Sequence, residues 1–358
     1  MTHCRETRTG LAVQKYILIL GLDTVAKKNL YQFEAMQGRG YRYFIISSGK
    51  SNFRKSGATG LNNVRIYESA SIVGRLAKTV SLLLTETFCH VEIYPAGRLG
   101  FFYSMISRLF RVPRVVIERG DIGVIEAYPR AIRFSLEVAY RMATYVWYKE
   151  PYMQPLLRAR TAAPLVFIPN GVPCPKAATH FAERSIDLVW ANRLIKQRHW
   201  EWVVQFLNDM EDQYSRAVFA GVEKDDPVTL PAKVEVLGHV DLADIFNHAR
   251  FFLLPADIVF GNYSLLEAMA SGAIPVVTRS DSVERVIEDG VSGFVSDCTF
   301  ASFRHTLLQA LNTPMDALIE MSRNARNKIA NEYSVECWAA KVDKLYLDAS
   351  RGNRAPLT

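Results

Sequence analysis

The sequence predicts an α/β protein with two doubly wound domains, and three observations carry this prediction. Short apolar runs rich in β-branched residues alternate with helical stretches, an order typical of parallel sheets covered by helices. A Pro-Asn-Gly turn interrupts the alternation at residues 168–172, near the middle of the chain. The chain has 358 residues, of which 49% are apolar, so it is too long for one core and apolar enough for two.

In the first half, the strands are separated by helical stretches, the first of them at residues 29–36 and closed by Gly38-Arg39-Gly40. No GxGxxG motif follows the first strand, so a nicotinamide-binding half is not expected. Gly21 ends that strand and permits close backbone approach there. The predicted strands are residues 16–20, 41–46, 64–67, 91–94, 115–117 and 145–147.

The turn at residues 168–172 divides the chain. We expect a first domain at residues 1–172, a linker at 173–182 with two prolines and no periodicity, and a second domain at 183–334. A helical pattern covers residues 317–348, and residues 335–358 are expected to form a last helix and a frayed tail.

The second half again alternates, and its richest segment is residues 251–295. The strands are predicted at residues 186–191, 217–221, 234–238, 251–254 and 274–278, and a helix at 265–270 ends at Ser271-Gly272. Ligands of open parallel sheets bind beyond the carboxyl ends of such strands. Glu267 is expected at a junction between loop and helix, where it could accept two hydroxyl hydrogen bonds, as a ribose diol requires. The alternative is a glutamate that only caps the helix.

The segments SLLEAMASGAIPVVT (264–278) and EDGVSGFV (288–295) resemble glycosyltransferase family 4, the retaining GT-B enzymes also called glycosyl transferases group 1. The turn IPNGV and the segment YSVECW (333–338) are similar to the family's interdomain segment and to the entry of its last helix. The resemblance implies a GT-B fold, with two Rossmann-like domains facing a cleft and a C-terminal helix that crosses back to the first domain. It also implies that Glu267 holds the donor ribose. Val259 stands where relatives carry a second glutamate, with Asp257 nearby, which leaves sugar recognition open.

The segment NRLIKQR (192–198) is similar to the family's G-R-L-x-x-x-K, whose cations hold the donor diphosphate. Arg193 matches the arginine, Arg198 takes the lysine position, and Lys196 lies between them, while Asn192 and His199 replace glycines. Cationic groups neutralise a departing diphosphate; a solvated basic loop is the alternative. Asp281 and Ser282 replace the paired glycines of the loop at 278–282, so phosphate contact and an ordinary polar loop stay equally open there. The resemblance implies a donor-binding set of Gly21, Arg193, Lys196, Arg198, Asn262, Tyr263, Ser264, Leu265 and Glu267.

Acceptor-side residues are expected after the strand at 115–117. Asp121 could orient an acceptor hydroxyl and Arg119 could bind an anionic acceptor, while a plain loop carboxylate is the alternative for Asp121. In the family, the leaving phosphate is thought to help deprotonate the acceptor, so positioning and charge stabilisation matter more than a protein nucleophile. The candidate catalytic residues are therefore Asp121, Arg193, Arg198 and Glu267.

No cofactor or metal is expected, and the nucleoside-diphosphate sugar is a substrate. No DxD pair stands out, and the five cysteines form no CxxC motif, which indicates reduced thiols and no structural zinc. The start MTHCRETRTG lacks a signal-peptide core, and no apolar run approaches the ~20 residues that span a bilayer. The sequence therefore predicts a cytoplasmic protein.

A formal charge of +7 indicates an anionic partner. Nucleic acid is not expected, because no basic run with interleaved aromatics is present. The helices predicted at 71–84 and 98–111 combine arginines with bulky apolar residues, as helices at anionic membrane surfaces do. The alternative is that both helices are buried on the sheet.

These features together predict a retaining glycosyltransferase. It would move a sugar from a nucleoside-diphosphate sugar to a saccharide or a lipid-linked saccharide, in surface polysaccharide or lipopolysaccharide synthesis, at the inner face of the cell membrane. The alternatives are a nucleotide-sugar epimerase or hydrolase on the same fold, or a degenerate nucleotide-sugar-binding protein. The donor assignment requires residues 193, 198 and 267 to surround one cavity.

Overall fold

A computed structural model describes residues 15–22, 27–48, 61–95, 97–223, 226, 228–238 and 240–351. The segment MTHCRETRTG and the expected frayed tail beyond residue 351 lie outside the described residues. The chain forms two compact units, which divide between Pro169 and Asn170. Unit 1 comprises the chain up to Pro169 together with the chain from Trp338 onward, and unit 2 is Asn170–Cys337.

In the described residues, unit 1 is a parallel sheet of seven strands with helices between them, in the order β3-β2-β1-β4-β5-β6-β7. The order reverses between β1 and β4, which leaves a switch point at their carboxyl ends. The strands are β1 (Lys15–Leu20), β2 (Tyr41–Ser47), β3 (Val64–Glu68), β4 (His90–Ile93), β5 (Arg114–Glu118), β6 (Tyr145–Tyr148) and β7 (Leu165–Phe167). The helices are α1 (Lys27–Gln37), α2 (Ile72–Thr85), α3 (Leu99–Leu109), α4 (Arg130–Met142) and α5 (Met153–Arg158).

Unit 2 repeats this plan, and its described part has six parallel strands in the order β10-β9-β8-β11-β12-β13. Its switch point lies between β8 and β11. The strands are β8 (Ile186–Ala191), β9 (Ala217–Ala220), β10 (Val234–Leu237), β11 (Ala249–Leu254), β12 (Ile274–Thr278) and β13 (Phe294–Ser296). The helices are α6 (Trp200–Asp209), α7 (Ala243–His248), α8 (Tyr263–Ala270), α9 (Phe300–Leu311) and α10 (Met315–Glu332), and α11 (Val335–Arg351) passes from unit 2 into unit 1.

The predicted α/β class with two Rossmann-like domains is confirmed. Every strand predicted from an apolar run is present, and the bounds of β8 and β12 match the sequence pattern residue for residue. Both are buried along almost their whole length, and such strands read as continuous apolar runs.

The predicted domain bounds differ from the observed division. The chain divides three residues before the expected end at 172, and the stretch expected as a linker at 173–182 lies within unit 2. The Val172 N–H donates to the Tyr333 carbonyl at 3.0 Å, and the Val335 N–H donates to the Val172 carbonyl at 2.8 Å. These backbone bonds make the turn part of the second unit.

The last helix, α11, packs onto the sheet of unit 1 through polar contacts. Its Asp343 accepts a hydrogen bond from the Tyr41 hydroxyl at 2.6 Å and forms an ion pair with Arg39 at 3.2 Å. The Tyr346 hydroxyl donates to Glu92, and burial raises the pKa of that carboxyl to about 7. The same burial lowers the pKa of the neighbouring His90 to about 3, so this imidazole is neutral in the fold.

Two further observations bear on the sequence predictions. The described cysteines, Cys89, Cys174, Cys298 and Cys337, are all free thiols. Within the described residues, no helix combines the length and apolar character needed to cross a membrane.

Candidate functional site

A cavity of about 330 Å³ opens at the switch point of unit 2. Its volume is within the range of small-molecule sites, about 300–1,000 Å³. Its walls are the loops that follow β8, β9, β10 and β11, together with the first turn of α8. The described lining residues are Ala191, Asn192, Arg193, Ile195, Arg198, Ala220, Gly221, Gly238, Val240, Leu242, Gly261, Asn262, Tyr263 and Ser264.

Two guanidinium groups give this cavity a positive wall, and none of its described lining residues is acidic. Arg193 is exposed, whereas Arg198 is half-buried and donates from Nη1 to the Ile258 carbonyl at 2.9 Å. That bond fixes Arg198 against the loop after β11. Lys196 lies in a short 3-10 helix (Lys196–Arg198), is exposed, and does not line the cavity. The wall therefore suits an anion held by arginine forks.

Two asparagines join the loops on either side of the switch point. The Asn262 amide donates to Asn192 Oδ1 at 2.8 Å, and Asn262 Oδ1 caps α8 by accepting from the Leu265 N–H at 2.9 Å. The Asn192 amide nitrogen is buried and has no hydrogen-bond partner among the described residues. A buried donor without a partner is costly, so this group at the cavity wall is suited to an acceptor atom of a ligand.

Helix α8 begins at Tyr263, two residues before the predicted start, because Asn262 supplies the N-cap. Glu267 is therefore in the second turn of the helix and not at the junction that the sequence indicated. It is half-buried and is not among the residues that line the cavity. It follows Tyr263 and Ser264 by four and three positions, so it lies one turn beyond them on the same helix face.

The predicted donor set is thus divided. The structure brings Arg193, Arg198, Asn262, Tyr263 and Ser264 around one cavity. Glu267 lies on the adjoining turn. The side chain of Leu265 is fully buried in the core and Asn262 uses its N–H, so Leu265 has no group left to offer a ligand there.

Two residues that shape the cavity were missed by the sequence reasoning. Gly221, at the end of β9, has φ +95°, and a Cβ at this position would lie 2.2 Å from the Asn192 carbonyl oxygen. Asn170, which the sequence placed in the interdomain turn, donates to the Gly261 carbonyl at 2.8 Å and accepts from the Tyr263 hydroxyl at 2.8 Å. A glycine directly after a strand and the Asn of a Pro-Asn-Gly turn are the signals that could have indicated both.

The loop after β12 supports the loop after β11. The Thr278 hydroxyl bonds to both the N–H and the carbonyl of Ala256 at 2.7 Å. Ser282 replaces an expected glycine yet has φ +64°, the left-handed conformation that glycine favours. Val259 is fully buried and its N–H donates to the Ser280 hydroxyl at 3.1 Å, so no carboxylate occupies that position.

The predicted acceptor-side residues and Gly21 belong to unit 1. Gly21 has φ +80°, and a Cβ there would lie 2.3 Å from the Tyr94 carbonyl oxygen, so only glycine fits at this switch point. Arg119 lies over the Tyr94 ring at 5.6 Å. Asp121 begins a 3-10 helix (Asp121–Ala127). Its carboxylate accepts a hydrogen bond at 2.7 Å from the hydroxyl of Tyr128, the residue that follows this helix.

A buried carboxylate beside this pair was not predicted. Glu118 is fully buried and accepts from the N–H groups of Gly120, at 2.6 Å, and Ile122, at 3.1 Å, as well as from the Tyr140 hydroxyl. Burial raises the pKa of the Glu118 carboxyl, against these hydrogen bonds. Glu118 therefore holds the turn that carries Arg119 and Asp121 in place.

The segment of the chain that lines the cavity is similar to a known family. Residues 185–313 match the family described as Glycosyl transferases group 1, and this segment contains the entire lining of the cavity. No curated protein sequence matches the chain significantly.

Solved structures with the same fold cover almost the whole chain. A glycosyltransferase from Rickettsia africae has a TM-score of 0.72 at 11% identity, with 94% of this chain and 98% of that one covered. HepE of Anabaena in complex with UDP-glucose has a TM-score of 0.73 at 14% identity, covering 93% and 99%. Sucrose-phosphate synthase from Thermosynechococcus elongatus has a TM-score of 0.72 at 13% identity, covering 94% and 99%.

The chain therefore has the fold of GT-B glycosyltransferases, and the match of unit 2 supports the glycosyltransferase superfamily.

Proposed function

We propose that this protein is a retaining glycosyltransferase of family 4, which transfers a hexose-type sugar from a nucleoside-diphosphate sugar to a saccharide or lipid-linked saccharide. The observation that carries the proposal is the cavity at the switch point of unit 2, whose described lining has two arginines, an unpartnered amide and no acidic residue. A diphosphate needs cationic forks, and a nucleoside and a sugar need polar partners beside them.

Each part of the cavity has a role in this proposal. Arg193 and Arg198 hold the diphosphate and stabilise the charge that develops as the nucleoside diphosphate leaves. The first turn of α8 offers its N-terminal end to the same anion, with Asn262 as the cap. Glu267, one turn further along, accepts the two ribose hydroxyls. The departing phosphate takes the proton of the acceptor hydroxyl, and no protein nucleophile is needed.

UDP-sugars are the first donors to test. Two proteins with the same fold were solved in complex with uridine nucleotides: HepE with UDP-glucose, and a variant of TarM of S. aureus with UDP, fondaparinux and α-GlcNAc-glycerol. We also propose that transfer needs no metal ion, because the arginine pair supplies the positive charge that a metal would bring to the diphosphate. The nucleotide sugar is then the only small molecule besides the acceptor.

A degenerate binding protein is the second candidate, and the burial of Val259 favours it. A relative would place a carboxylate against the donor sugar at this position, and here the side chain is apolar and lies in the core. This candidate predicts nucleotide binding without transfer, whereas an epimerase or hydrolase predicts donor turnover without an acceptor. Release of nucleoside diphosphate, measured with and without acceptor, separates the three.

Arg193→Ala is the first test of the donor site. Removing one charged hydrogen-bonding partner costs about 1.5–3 kcal/mol, so we expect UDP to bind about 10- to 100-fold more weakly. Titration calorimetry with UDP, GDP, ADP and dTDP measures the loss and identifies the base. Arg323→Ala, on the exposed face of α10, is the matched control and should leave binding unchanged. If the natural chain and both variants bound UDP equally well, Arg193 would not contribute to the donor site.

An acceptor carried by a membrane fits the surface of unit 1. Helix α3 buries Tyr103, Ser104 and Ser107, but it leaves Phe102, Met105 and Leu109 exposed at helical spacing. We name these three residues the α3 stripe. Exposed arginines flank the stripe at positions 98, 108 and 111. On α4, Phe134 is 58% exposed, and its ring lies 5.7 Å from the ring of Phe101 of α3.

Apolar residues between arginines are typical of surfaces that bind anionic bilayers reversibly. The sequence alternative, in which the helix is buried on the sheet, holds only for one face of α3. We therefore propose peripheral attachment at the cytoplasmic face of the membrane, in the assembly of surface polysaccharide or lipopolysaccharide.

Replacing Phe102 and Leu109 by serine should weaken vesicle binding at least about 10-fold, because burial of each side chain contributes about 1.5–3 kcal/mol. Cosedimentation with vesicles that contain an anionic phospholipid, at low and high salt, measures the change. Met315→Ser removes an exposed apolar side chain from unit 2 and serves as the control. Binding that is absent at low salt, or unchanged in the double variant, would contradict the attachment.

A further inference from the structure

Three potential metal ligands from distant parts of the chain converge in unit 2, outside the cavity described above. His199 precedes α6, Asp257 follows β11, and Cys298 follows β13. Their ligand atoms all lie within 4.8 Å of one another. The imidazole is half-buried, the carboxylate and thiol are exposed, and none of the three lines the cavity.

The imidazole of His199 is held in a fixed position. The backbone of His199 is left-handed at φ +39°, and His199 is one of the few non-glycine residues with positive φ among the described residues. Such a conformation costs about 1–3 kcal/mol and persists only where the surroundings enforce it. The ring stacks on Trp202, with centroids 4.1 Å apart and planes 7° apart. The strained backbone and the stacked indole together aim one nitrogen at the other two groups.

Both contacts use this same nitrogen, Nε2. It lies 2.8 Å from Asp257 Oδ1 and 3.7 Å from Cys298 Sγ. A nucleophile, base and orienting acid need two different ring nitrogens, one for each partner, so a catalytic triad is excluded. The imidazole nitrogen, the carboxylate oxygen and the thiol sulfur instead converge on one point, as the ligand atoms of a metal ion do.

The spacing of the three atoms fits zinc. With bonds of about 2.0–2.3 Å and tetrahedral angles, zinc ligand atoms lie about 3.3–3.6 Å apart. Two of the three separations, 2.8 Å from His199 Nε2 to Asp257 Oδ1 and 3.7 Å from His199 Nε2 to Cys298 Sγ, reach this range with shifts of about half an ångström. The third separation, between the ligand atoms of Asp257 and Cys298, is within 4.8 Å, and rotation of these two exposed side chains shortens it. Nitrogen, oxygen and sulfur together are a donor set that zinc accepts, whereas magnesium and calcium prefer oxygen alone.

We propose that His199, Asp257 and Cys298 form a binding site for one zinc ion, with water in the fourth position. The ion would join the loops after β8, β11 and β13, beyond the carboxyl ends of these strands. As the zinc–sulfur bond forms, the thiol proton passes to solvent.

The site is separate from the donor cavity but shares its loops. The Asp257 N–H donates to the Gln197 carbonyl at 3.0 Å, and Arg198, which lines the cavity, donates to the Ile258 carbonyl. Zinc would therefore fix the segment that carries Arg193 and Arg198. It is a structural clamp in this proposal and takes no part in sugar transfer, so it stands whether or not the proposed function does.

The test uses the full chain, treated with chelator and kept reduced, titrated with zinc against a chromophoric chelator and separately with cobalt. We expect one zinc per chain, and a near-ultraviolet thiolate-to-cobalt absorption band that reports the sulfur ligand. Cys298→Ser should bind zinc at least about 100-fold more weakly, because even partners behind the ligands are worth 10- to 100-fold. It should also lose the cobalt band.

Two matched variants leave the cluster intact. Cys337→Ser removes another thiol of unit 2, and His248→Gln removes a histidine that pairs with Asp244 but belongs to no such cluster among the described residues. Both should keep the natural affinity. Asp257→Asn provides a second route if Cys298→Ser is unstable, and circular dichroism checks the fold of each. Zinc bound as tightly by Cys298→Ser as by the natural chain, or no saturable site at micromolar zinc, would overturn the proposal.

Discussion

Replacing Glu267 by alanine is expected to lower kcat/KM for sugar transfer by about 100- to 10,000-fold. In the proposed donor site, the carboxylate accepts two ribose hydroxyls, and each hydrogen bond to a charged acceptor is worth about 1.5–3 kcal/mol. The ribose is remote from the reacting carbon, so its contacts are similar in the ground and transition states. The loss should therefore appear mainly as a higher KM for the donor.

Initial rates of nucleoside-diphosphate release at varied donor concentration measure this effect. Glu267→Gln keeps the size and one acceptor oxygen and should retain part of the activity. Glu320→Gln, on the exposed face of α10, is the control carboxylate and should change nothing. Full activity in Glu267→Ala would show that the carboxylate one turn from the cavity has no contact with the donor, and the ribose role would then have to be reassigned.

The fold was predictable because both sheets are parallel and buried. Strands covered on both faces are continuous apolar runs, and β8 and β12 were bounded from sequence for that reason. Helix starts were harder to locate. The sequence indicated a helix at Leu265, whereas the side chain of Asn262 accepts from the Leu265 N–H and starts α8 two residues earlier. Capping depends on a side-chain rotamer, which periodicity does not report.

The site was predictable only where a local motif carried it. Arg193 and Arg198 follow one strand and line one cavity, and the resemblance of residues 192–198 to the family segment was the signal for them. His199 and Cys298 are 99 positions apart, and only the sheet order brings them together. Asp121 also met a local partner, Tyr128, seven positions along the chain. A carboxylate accepts more than one hydrogen bond, so this contact is compatible with the proposed role of Asp121 at an acceptor.

Arg184, in the segment before β8, is a charged residue that is only 3% exposed. Its Nη1 donates to the Ala249 carbonyl at 2.6 Å, and its Nη2 donates to the Ser271 carbonyl at 2.6 Å. The Thr179 carbonyl accepts from both Nε and Nη2 at 3.3 Å, and the guanidinium lies over the Phe181 ring at 5.4 Å. Burial lowers the pKa of this guanidinium to about 10, so it stays charged at neutral pH.

The three carbonyls come from the segment before β8, the start of β11 and the end of α8, so a single side chain joins the elements that carry the donor cavity. Replacing Arg184 by methionine should therefore destabilise unit 2 by about 3–9 kcal/mol. Methionine keeps most of the apolar stem, but three buried acceptors lose their donor, at about 1–3 kcal/mol each.

Hydrogen exchange followed by mass spectrometry gives a reading for each unit, which a single melting temperature for a two-domain chain does not. Protection should fall in β8, β11 and α8 and remain unchanged in β1, β4 and β5. Arg216→Met, which removes an exposed arginine paired with Glu235, is the matched control. Arg184→Lys separates charge from geometry, because an ammonium keeps the charge but cannot reach three carbonyls with a planar fork. If the lysine variant were as stable as the natural chain, the planar geometry of the guanidinium would not be required. If the methionine variant were also as stable as the natural chain, the buried hydrogen bonds of Arg184 would not hold these elements together.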